Sequence, residues 1–297
     1  MTYHPDGKTP APTIGVPAGP DGARGRRPGR RATAGFRLGL AVLILLAAMV
    51  AFPGLFTGAD PNAAVLEATL RPPGPGHWLG TDQNGRDLYA RIVYGARPSL
   101  LIGTTAVALA LAGGIVVGVV AAQFGRLVDQ LLARSLDVIL SVPGLLLVFL
   151  VVAVLGPGSG SATVGLAVIT LPGFARVVRA EVITLRGSAY VEAAHGFGWT
   201  RVQVIVRHVV PNAVGPVLAL GTVTLGAMIV AGSSLSFVGL GPQPPTAEWG
   251  AMLAGSRELL GVAWWPAAFP GAAITASVLA VTAVGQHLQR RGDGSTR

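Results

Sequence analysis

The sequence of 297 residues contains no cysteine and few charged residues. The absence of cysteine excludes a disulfide framework, a thiolate nucleophile and a cysteine-ligated metal site. Charged residues make up only 12% of the chain, whereas soluble domains carry roughly 25%. Hydrophobic residues make up 51%, and the mean hydropathy is +0.61. A chain with so little polar surface cannot cover a compact body in water, so the composition predicts an integral membrane protein.

The chain also has a single lysine, Lys8, which lies near its N-terminus. A phosphate-binding Walker loop needs a lysine in the pattern Gly-x-x-x-x-Gly-Lys-Ser/Thr, and no such pattern is present. We therefore expect no ATP hydrolysis by this chain, no catalytic residues and no cofactor of its own. The five histidines are scattered and form no His-Glu-x-x-His pattern, so no metal site is predicted.

Six apolar runs are each about long enough to cross a bilayer as a helix. They cover residues 38–56, 100–122, 136–155, 162–178, 213–235 and 267–288. The predicted fold class is an all-α membrane protein with six transmembrane helices. The predicted divisions are a disordered basic cytoplasmic tail at 1–35, a first transmembrane helix at 36–56, an external segment at 57–97, a five-helix core at 98–288 and a cytoplasmic tail at 289–297.

The first run admits a second interpretation, because basic residues followed by an apolar stretch are also typical of a secretory signal. The length of the run and the spans that follow favour a retained anchor. Within the later runs, Pro143-Gly144 predicts a break in the third helix and Pro172-Gly173 predicts a kink in the fourth. Gly114 and Gly118 predict a close helix–helix approach.

The distribution of arginine and lysine predicts the orientation in the membrane. With the N-terminus inside, 17 of the 22 basic residues fall in cytoplasmic segments and 5 fall outside. Both termini are therefore predicted to be cytoplasmic. Much of the net charge of +9 then serves topology in a lipid membrane, and a nucleic-acid partner is not expected.

Charged residues inside the spans are rare, and they distinguish between classes of transporter. Asp137 lies three residues after Arg134 near the inner end of the third run, so these two side chains are candidates for a structural pair. A role for Asp137 in substrate or proton binding is the alternative. No chain of acidic residues follows the middle of the membrane, which argues against a proton-driven secondary transporter or channel. A membrane-embedded hydrolase is also disfavoured, because Ser233, Ser234 and Ser236 lack an obvious His/Asp partner.

The inner segment 181–212 is too long and too polar to be a simple connection. Residues 190–194 predict the start of a short helix, and the glycines of 196–198 permit a sharp turn. Residues 199–210 then predict a second short helix with one apolar face, which Pro211 ends before the next span. We call this predicted helix–turn–helix segment, residues 189–211, the bracket.

Within the bracket, Glu192-Ala193-Ala194 followed by Gly198 and a stretch closing in Pro211 resembles the EAA motif of ABC-importer permeases. The resemblance implies cytoplasmic coupling helices at 189–211 that dock into a cleft on each ATPase subunit. An ordinary amphipathic hairpin at the membrane surface is the alternative interpretation. The residues that the resemblance assigns to ATPase coupling are Tyr190, Glu192, Ala193, Ala194, Gly198, Arg207, His208 and Pro211.

Residues 77–100 are similar to the segment that precedes the core helices in the dipeptide/oligopeptide/nickel permease family, C-type subunit. Residues 235–250 are similar to the late outer loop of that family. The residues of the external family motif are Gly80, Thr81, Asp82, Gly85, Arg86 and Asp87. The resemblance covers about 77–271 and fades at both ends; the fourth helix and the C-terminal tail depart from the family pattern.

This resemblance implies a type I ABC-importer permease that forms the translocation pathway for dipeptides or oligopeptides across the cytoplasmic membrane. It also implies a second permease subunit as heterodimer partner, two ATPase subunits that bind ATP and Mg, and an extracytoplasmic substrate-binding protein. An importer permease for nickel or another small solute is the alternative, and a secondary transporter is disfavoured.

Overall fold

The computed structural model describes residues 30–187, 199–204, 207 and 210–295, and they form a bundle of α-helices. The helices are α1 (Arg30–Ala51), α2 (Leu88–Gln123), α3 (Arg126–Ser141), α4 (Gly144–Leu155), α5 (Ser159–Arg186), α6 (Arg201–Val204), α7 (Val210–Phe237), α8 (Trp249–Ser256) and α9 (Trp265–Ser295). Short 3₁₀ turns occupy Pro53–Leu55, Leu66–Ala68 and Arg257–Leu259. No sheet strand occurs in these ranges, and the predicted all-α class is confirmed.

Helix α2 is the centre of the bundle, and its most extensive contact is with α5. The predicted close approach at Gly114 and Gly118 is confirmed, and α5 is the partner. A Cβ atom at Gly114 would lie 2.6 Å from Phe174 Cβ, and one at Gly118 would lie 2.7 Å from Val178 Cβ. Because hydrogen alone fits at these two positions, the backbones of α2 and α5 pack directly against each other.

Within the described ranges, five helices are long and apolar enough to cross a membrane, and the α3–α4 pair brings the number to six if the pair counts as one broken span. The two halves of that pair meet at an angle of 92°. Val142 between them is extended, with φ −92° and ψ 133°, because the ring of Pro143 disfavours a helical conformation in the preceding residue. The 12 residues of α4 rise only about 18 Å, which is too short for a span by itself.

Helix α5 continues through Pro172 and Gly173 without ending, and the kink predicted at this position stays a prediction. Pro172 is buried, and the residues that follow it, Phe174, Ala175 and Val178, are buried as well. Packing against α2 holds this helix together at the position where one backbone hydrogen bond is missing.

The helices do not begin and end where the predicted divisions of the chain do. Helix α1 begins at Arg30, inside the predicted tail, and α9 runs to Ser295, beyond the predicted core end at 288. Helix α2 begins at Leu88, so ten residues of the predicted external segment 57–97 are helical. Apolar runs mark the part of a helix that lipid can contact, whereas capping and tertiary packing decide where the helix ends.

Candidate functional site

The bundle has two ends that carry the candidate site residues. The motif end consists of residues 57–87 and 238–264 together with the first turns of α2 and α9. The bracket end consists of α3, α6, the last turns of α2 and α5 and the first turn of α7. Arg186 at the end of α5 donates a hydrogen bond to the carbonyl oxygen of Ala122, so the C-terminal ends of α2 and α5 lie together.

Thr81 ties three segments together at the motif end, and it is fully buried. Its backbone N–H donates to the carbonyl oxygen of Arg71 at 3.0 Å, and its hydroxyl accepts from the Arg71 backbone N–H at 2.8 Å. The same hydroxyl donates to the carbonyl oxygen of Ala68. The indole Nε1 of Trp265 donates to the carbonyl oxygen of Thr81 at 3.1 Å, which connects the motif to the start of α9.

Asp82 shapes the turn that follows Thr81. One carboxylate oxygen accepts from the backbone N–H groups of Asn84 at 2.8 Å and Arg86 at 3.0 Å. The other lies 3.4 Å from Nε of Arg91, a buried guanidinium that also donates to the carbonyl oxygen of Pro61 at 3.0 Å. Asp82 therefore neutralises Arg91 and fixes the turn with the same carboxylate. Both roles fit its burial, because a buried charge is stable only when it is paired and hydrogen-bonded.

Asp87 is the N-cap of α2. One of its oxygens accepts from the backbone N–H of Ala90 at 2.9 Å, and the other lies 2.8 Å from Nδ1 of His77. A carboxylate at this position pairs with an otherwise unsatisfied N–H group and with the positive end of the helix dipole.

Gly80 and Gly85 occupy positions that other residues do not fit. Both have positive φ, +79° and +70°, a region that residues with a Cβ atom rarely adopt. A Cβ at Gly80 would lie 2.6 Å from the carbonyl oxygen of Arg71, and one at Gly85 would overlap the carbonyl oxygen of Val65. The six residues of the external family motif thus lie in one interlocked turn in which each has a structural contact.

Sequence reasoning missed a second buried cluster at the motif end, centred on Glu248. This fully buried carboxylate caps α8 and accepts from the Ser99 hydroxyl at 2.9 Å and from the backbone N–H groups of Gly250 at 3.0 Å and Ala251 at 2.8 Å. Ser99 in turn accepts from the backbone N–H of Trp249 at 2.9 Å. An acidic residue directly before a short apolar run was the available signal, since acidic residues are enriched at the starts of helices.

The bracket end is held by ion pairs between α3 and α5. Arg179 binds both carboxylate oxygens of Asp129, with a distance of 2.6 Å for the NH2–Oδ2 contact. Arg176 NH2 lies 2.7 Å from Asp137 Oδ1. The predicted pairing of Asp137 with Arg134 is therefore wrong, because the bend at Pro143 turns α3 toward α5 and presents Asp137 to a neighbouring helix.

Most of the predicted coupling residues cannot be placed. Tyr190, Glu192, Ala193, Ala194, Gly198 and His208 lie outside the described residues. Arg207 is described, and its guanidinium carbon lies 5.5 Å from the ring centroid of Trp199, a cation–π contact. Pro211 lies in the first turn of α7 rather than at the end of the preceding helix. Proline is tolerated in a first turn because the N–H groups there have no partner within the helix.

The described ranges contain no group of three His, Asp or Glu side chains that could hold a metal ion. Their polar clusters instead cap helices, close turns and connect segments. An all-helical bundle of up to six spans with an interlocked turn at one end defines a multi-pass membrane protein, and comparison with known proteins gives its family.

Residues 114–293 match the family of binding-protein-dependent transport system inner membrane components. The chain belongs to this family, so it is an inner-membrane component of an ABC-type transport system, as the EAA and external motifs predicted.

Among similar proteins, a putative peptide transport system permease protein of Brucella suis biovar 1 (strain 1330) is 39% identical over 254 residues, which are 86% of this chain and 86% of the relative. A probable D,D-dipeptide transport system permease protein of Escherichia coli (strain K12) is 38% identical over 253 residues, 85% of this chain and 83% of the relative.

The fold is also similar to that of solved structures. An inward-facing conformation of a methionine ABC transporter gives a TM-score of 0.55 at 18% identity and covers 68% of this chain and 95% of that chain. At this level of identity the similarity concerns the fold alone, and it agrees with the predicted permease fold.

Proposed function

We propose that the chain is a permease subunit of an ATP-driven importer and forms part of the translocation pathway for short peptides. The observation that carries the proposal is the identity of 38–39% over some 85% of the chain to two permeases that are named for peptides. Such extended identity favours a related substrate over nickel, the alternative that the sequence resemblance left open.

The orientation follows from the distribution of basic residues, since cytoplasmic segments carry most arginines. It places the motif end outside and the bracket end in the cytoplasm, with both termini cytoplasmic. A substrate-binding protein would then dock on the motif end, and two ATPase subunits would dock on the bracket end of this chain and of a second, related permease. These ATPases bind the ATP and Mg, and their closure would move the bracket ends together.

The connection of the bracket to the spans supports this coupling. The bracket lies between α5 and α7 and includes the first two residues of α7, and both helices pack against α2. A displacement of the bracket would therefore act on the centre of the bundle through two helices that contact α2 directly.

Peptide uptake tests the substrate. The chain, with its second permease, ATPases and binding protein, should restore ATP-dependent uptake of a labelled dipeptide in a host that lacks peptide importers. Nickel uptake, measured in the same cells, should not change. Restored nickel uptake without peptide uptake would contradict the proposed substrate.

A substitution in the bracket tests the coupling. We expect Gly198→Leu to leave membrane insertion intact and to abolish transport, because a bulky side chain at the turn would keep the bracket from the ATPase. Gly35→Leu is the matched control, since a side chain at Gly35 on α1 meets open space. Normal uptake by the Gly198→Leu transporter would contradict the docking role.

A further inference from the structure

A cavity of about 410 Å³ lies at the motif end, between the turn that precedes α2 and the segment that follows α7. Arg86, Arg91 and Ser236 line it, and each carries a buried atom with no hydrogen-bond partner among the described residues: Nε of Arg86, Oγ of Ser236 and Nε of Arg91, the last of which faces the Asp82 carboxylate at 3.4 Å. Ser233 Oγ, which does not line this cavity, is the fourth such atom in the part of the chain that the structure describes. Buried polar atoms in native proteins nearly always have partners, so Arg86 and Ser236 have unused hydrogen-bonding capacity beside this cavity.

The unused groups favour an anion. A guanidinium Nε–H is a donor only, and a hydroxyl can donate as well. Of the two cations in the lining, Arg91 is paired with Asp82, the acidic residue of the lining, whose Oδ2 lies 3.4 Å from Arg91 Nε and whose Oδ1 accepts from two backbone N–H groups. Arg86 has no ion-pair partner among the described residues. The lining therefore carries two cations and one carboxylate, which leaves a net positive charge and surplus hydrogen-bond donors. The carboxylate of a bound ligand would neutralise this charge and accept from these donors in charge-assisted hydrogen bonds.

We propose that this cavity binds the C-terminal carboxylate of the peptide to be transported, through Arg86 and Ser236. This inference rests on the proposed peptide function and on the outward orientation of the motif end. The volume lies in the range of roughly 300–1,000 Å³ that is typical of small-molecule sites. Apolar lining residues such as Leu88, Met252 and Pro266 offer contacts to a peptide side chain next to the carboxylate.

The test uses the assembled transporter in liposomes with its binding protein loaded to saturation. Uptake of alanyl-alanine is compared with uptake of its C-terminal amide. We expect Arg86→Gln to lower uptake of the acid about tenfold and Ser236→Ala about fivefold, since hydrogen bonds to a charged group are the strong ones. Uptake of the amide should change less than about twofold in both variants, because the amide lacks the charge that these groups recognise.

Ser233→Ala is the matched control, because Ser233 and Ser236 lie one turn apart on α7 and are both buried without a hydroxyl partner in the described structure. Removing such a hydroxyl is neutral or stabilising for the fold. Thermal unfolding should therefore show no loss of stability in either serine variant, and only Ser236→Ala should lower uptake of the acid.

The outcomes are distinguishable. Equal losses for the acid and the amide would mean that Arg86 and Ser236 serve docking or folding, and unchanged uptake of the acid would mean that the cavity holds water alone; either result overturns the carboxylate site and leaves the peptide function standing. Failure of the unsubstituted transporter to take up either peptide would overturn the proposed function and, with it, this site.

Discussion

The two ends of the bundle are held by different kinds of polar contact. At the motif end the side chains of Arg91 and Asp82 are only 8% and 10% exposed, and Glu248 is fully buried. At the bracket end the Arg179 and Asp129 side chains are 38% and 25% exposed, and those of Arg176 and Asp137 are 54% and 52% exposed. Opening the motif end would leave buried polar groups without partners, whereas the pairs at the bracket end are partly exposed and lose less when they separate. The motif end is therefore rigidly held by buried contacts. The bracket end, which the proposed function requires to move, is held by partly exposed ion pairs that separate at a small cost in free energy.

The largest effect should come from Gly85→Ala at the motif end. The new Cβ would overlap the carbonyl oxygen of Val65, and φ at this position is +70°. A backbone atom cannot move aside cheaply, so we expect a loss of about 4 kcal/mol in the free energy of unfolding, the sum of overpacking and left-handed strain. Denaturant titration of the purified protein in detergent measures this loss.

Gly76→Ala is the control for that substitution. Gly76 also has a positive φ, +89°, but a Cβ there has no neighbour within 4 Å. It should cost about 1 kcal/mol, the strain contribution alone. Equal losses for the two alanine variants would show that the contact with Val65 does not constrain the motif end.

Glu248→Ala should give the next largest effect. The substitution leaves the Ser99 hydroxyl and the backbone N–H groups of Gly250 and Ala251 without their acceptor in a buried site. We expect a loss of about 3 kcal/mol in the free energy of unfolding, because unsatisfied buried donors carry their full desolvation cost. Glu258→Ala, which removes a carboxylate from an exposed ion pair with Arg257, should change stability by less than about 0.5 kcal/mol.

The sequence predicted the features that depend on local chemistry, and it failed where distant segments meet. The break before Pro143 and the close approach at Gly114 follow from the properties of proline and glycine, and both were confirmed. The partner of Asp137 was predicted wrongly, because Arg134 is near in sequence whereas Arg176 is near only after α3 folds toward α5. The cluster around Glu248 joins residues about 150 positions apart, and no local pattern connects Glu248 with Ser99.

The Arg179–Asp129 pair tests the bracket end. A double-mutant cycle with Arg179→Ala, Asp129→Ala and the double variant should give a coupling energy of about 1 kcal/mol, since the pair is bidentate but partly exposed. This value is smaller than the loss expected at Glu248. A coupling energy of about 3 kcal/mol or more would remove the contrast between the two ends, because the bracket end would then be as tightly held as the motif end.

The smallest effect is expected at Arg176 and Asp137, whose side chains are about half exposed. A cycle with Arg176→Ala and Asp137→Ala should give a coupling energy of about 0.5 kcal/mol or less at low ionic strength, and 0.5 M salt should remove most of it, since exposed charges are screened. The loss caused by Glu248→Ala should hardly respond to the same salt, because its partners are neutral donors in a buried site. The salt dependence of these free-energy changes distinguishes the two ends more clearly than their size does. An equal salt dependence at both ends would show that burial does not distinguish the motif end from the bracket end.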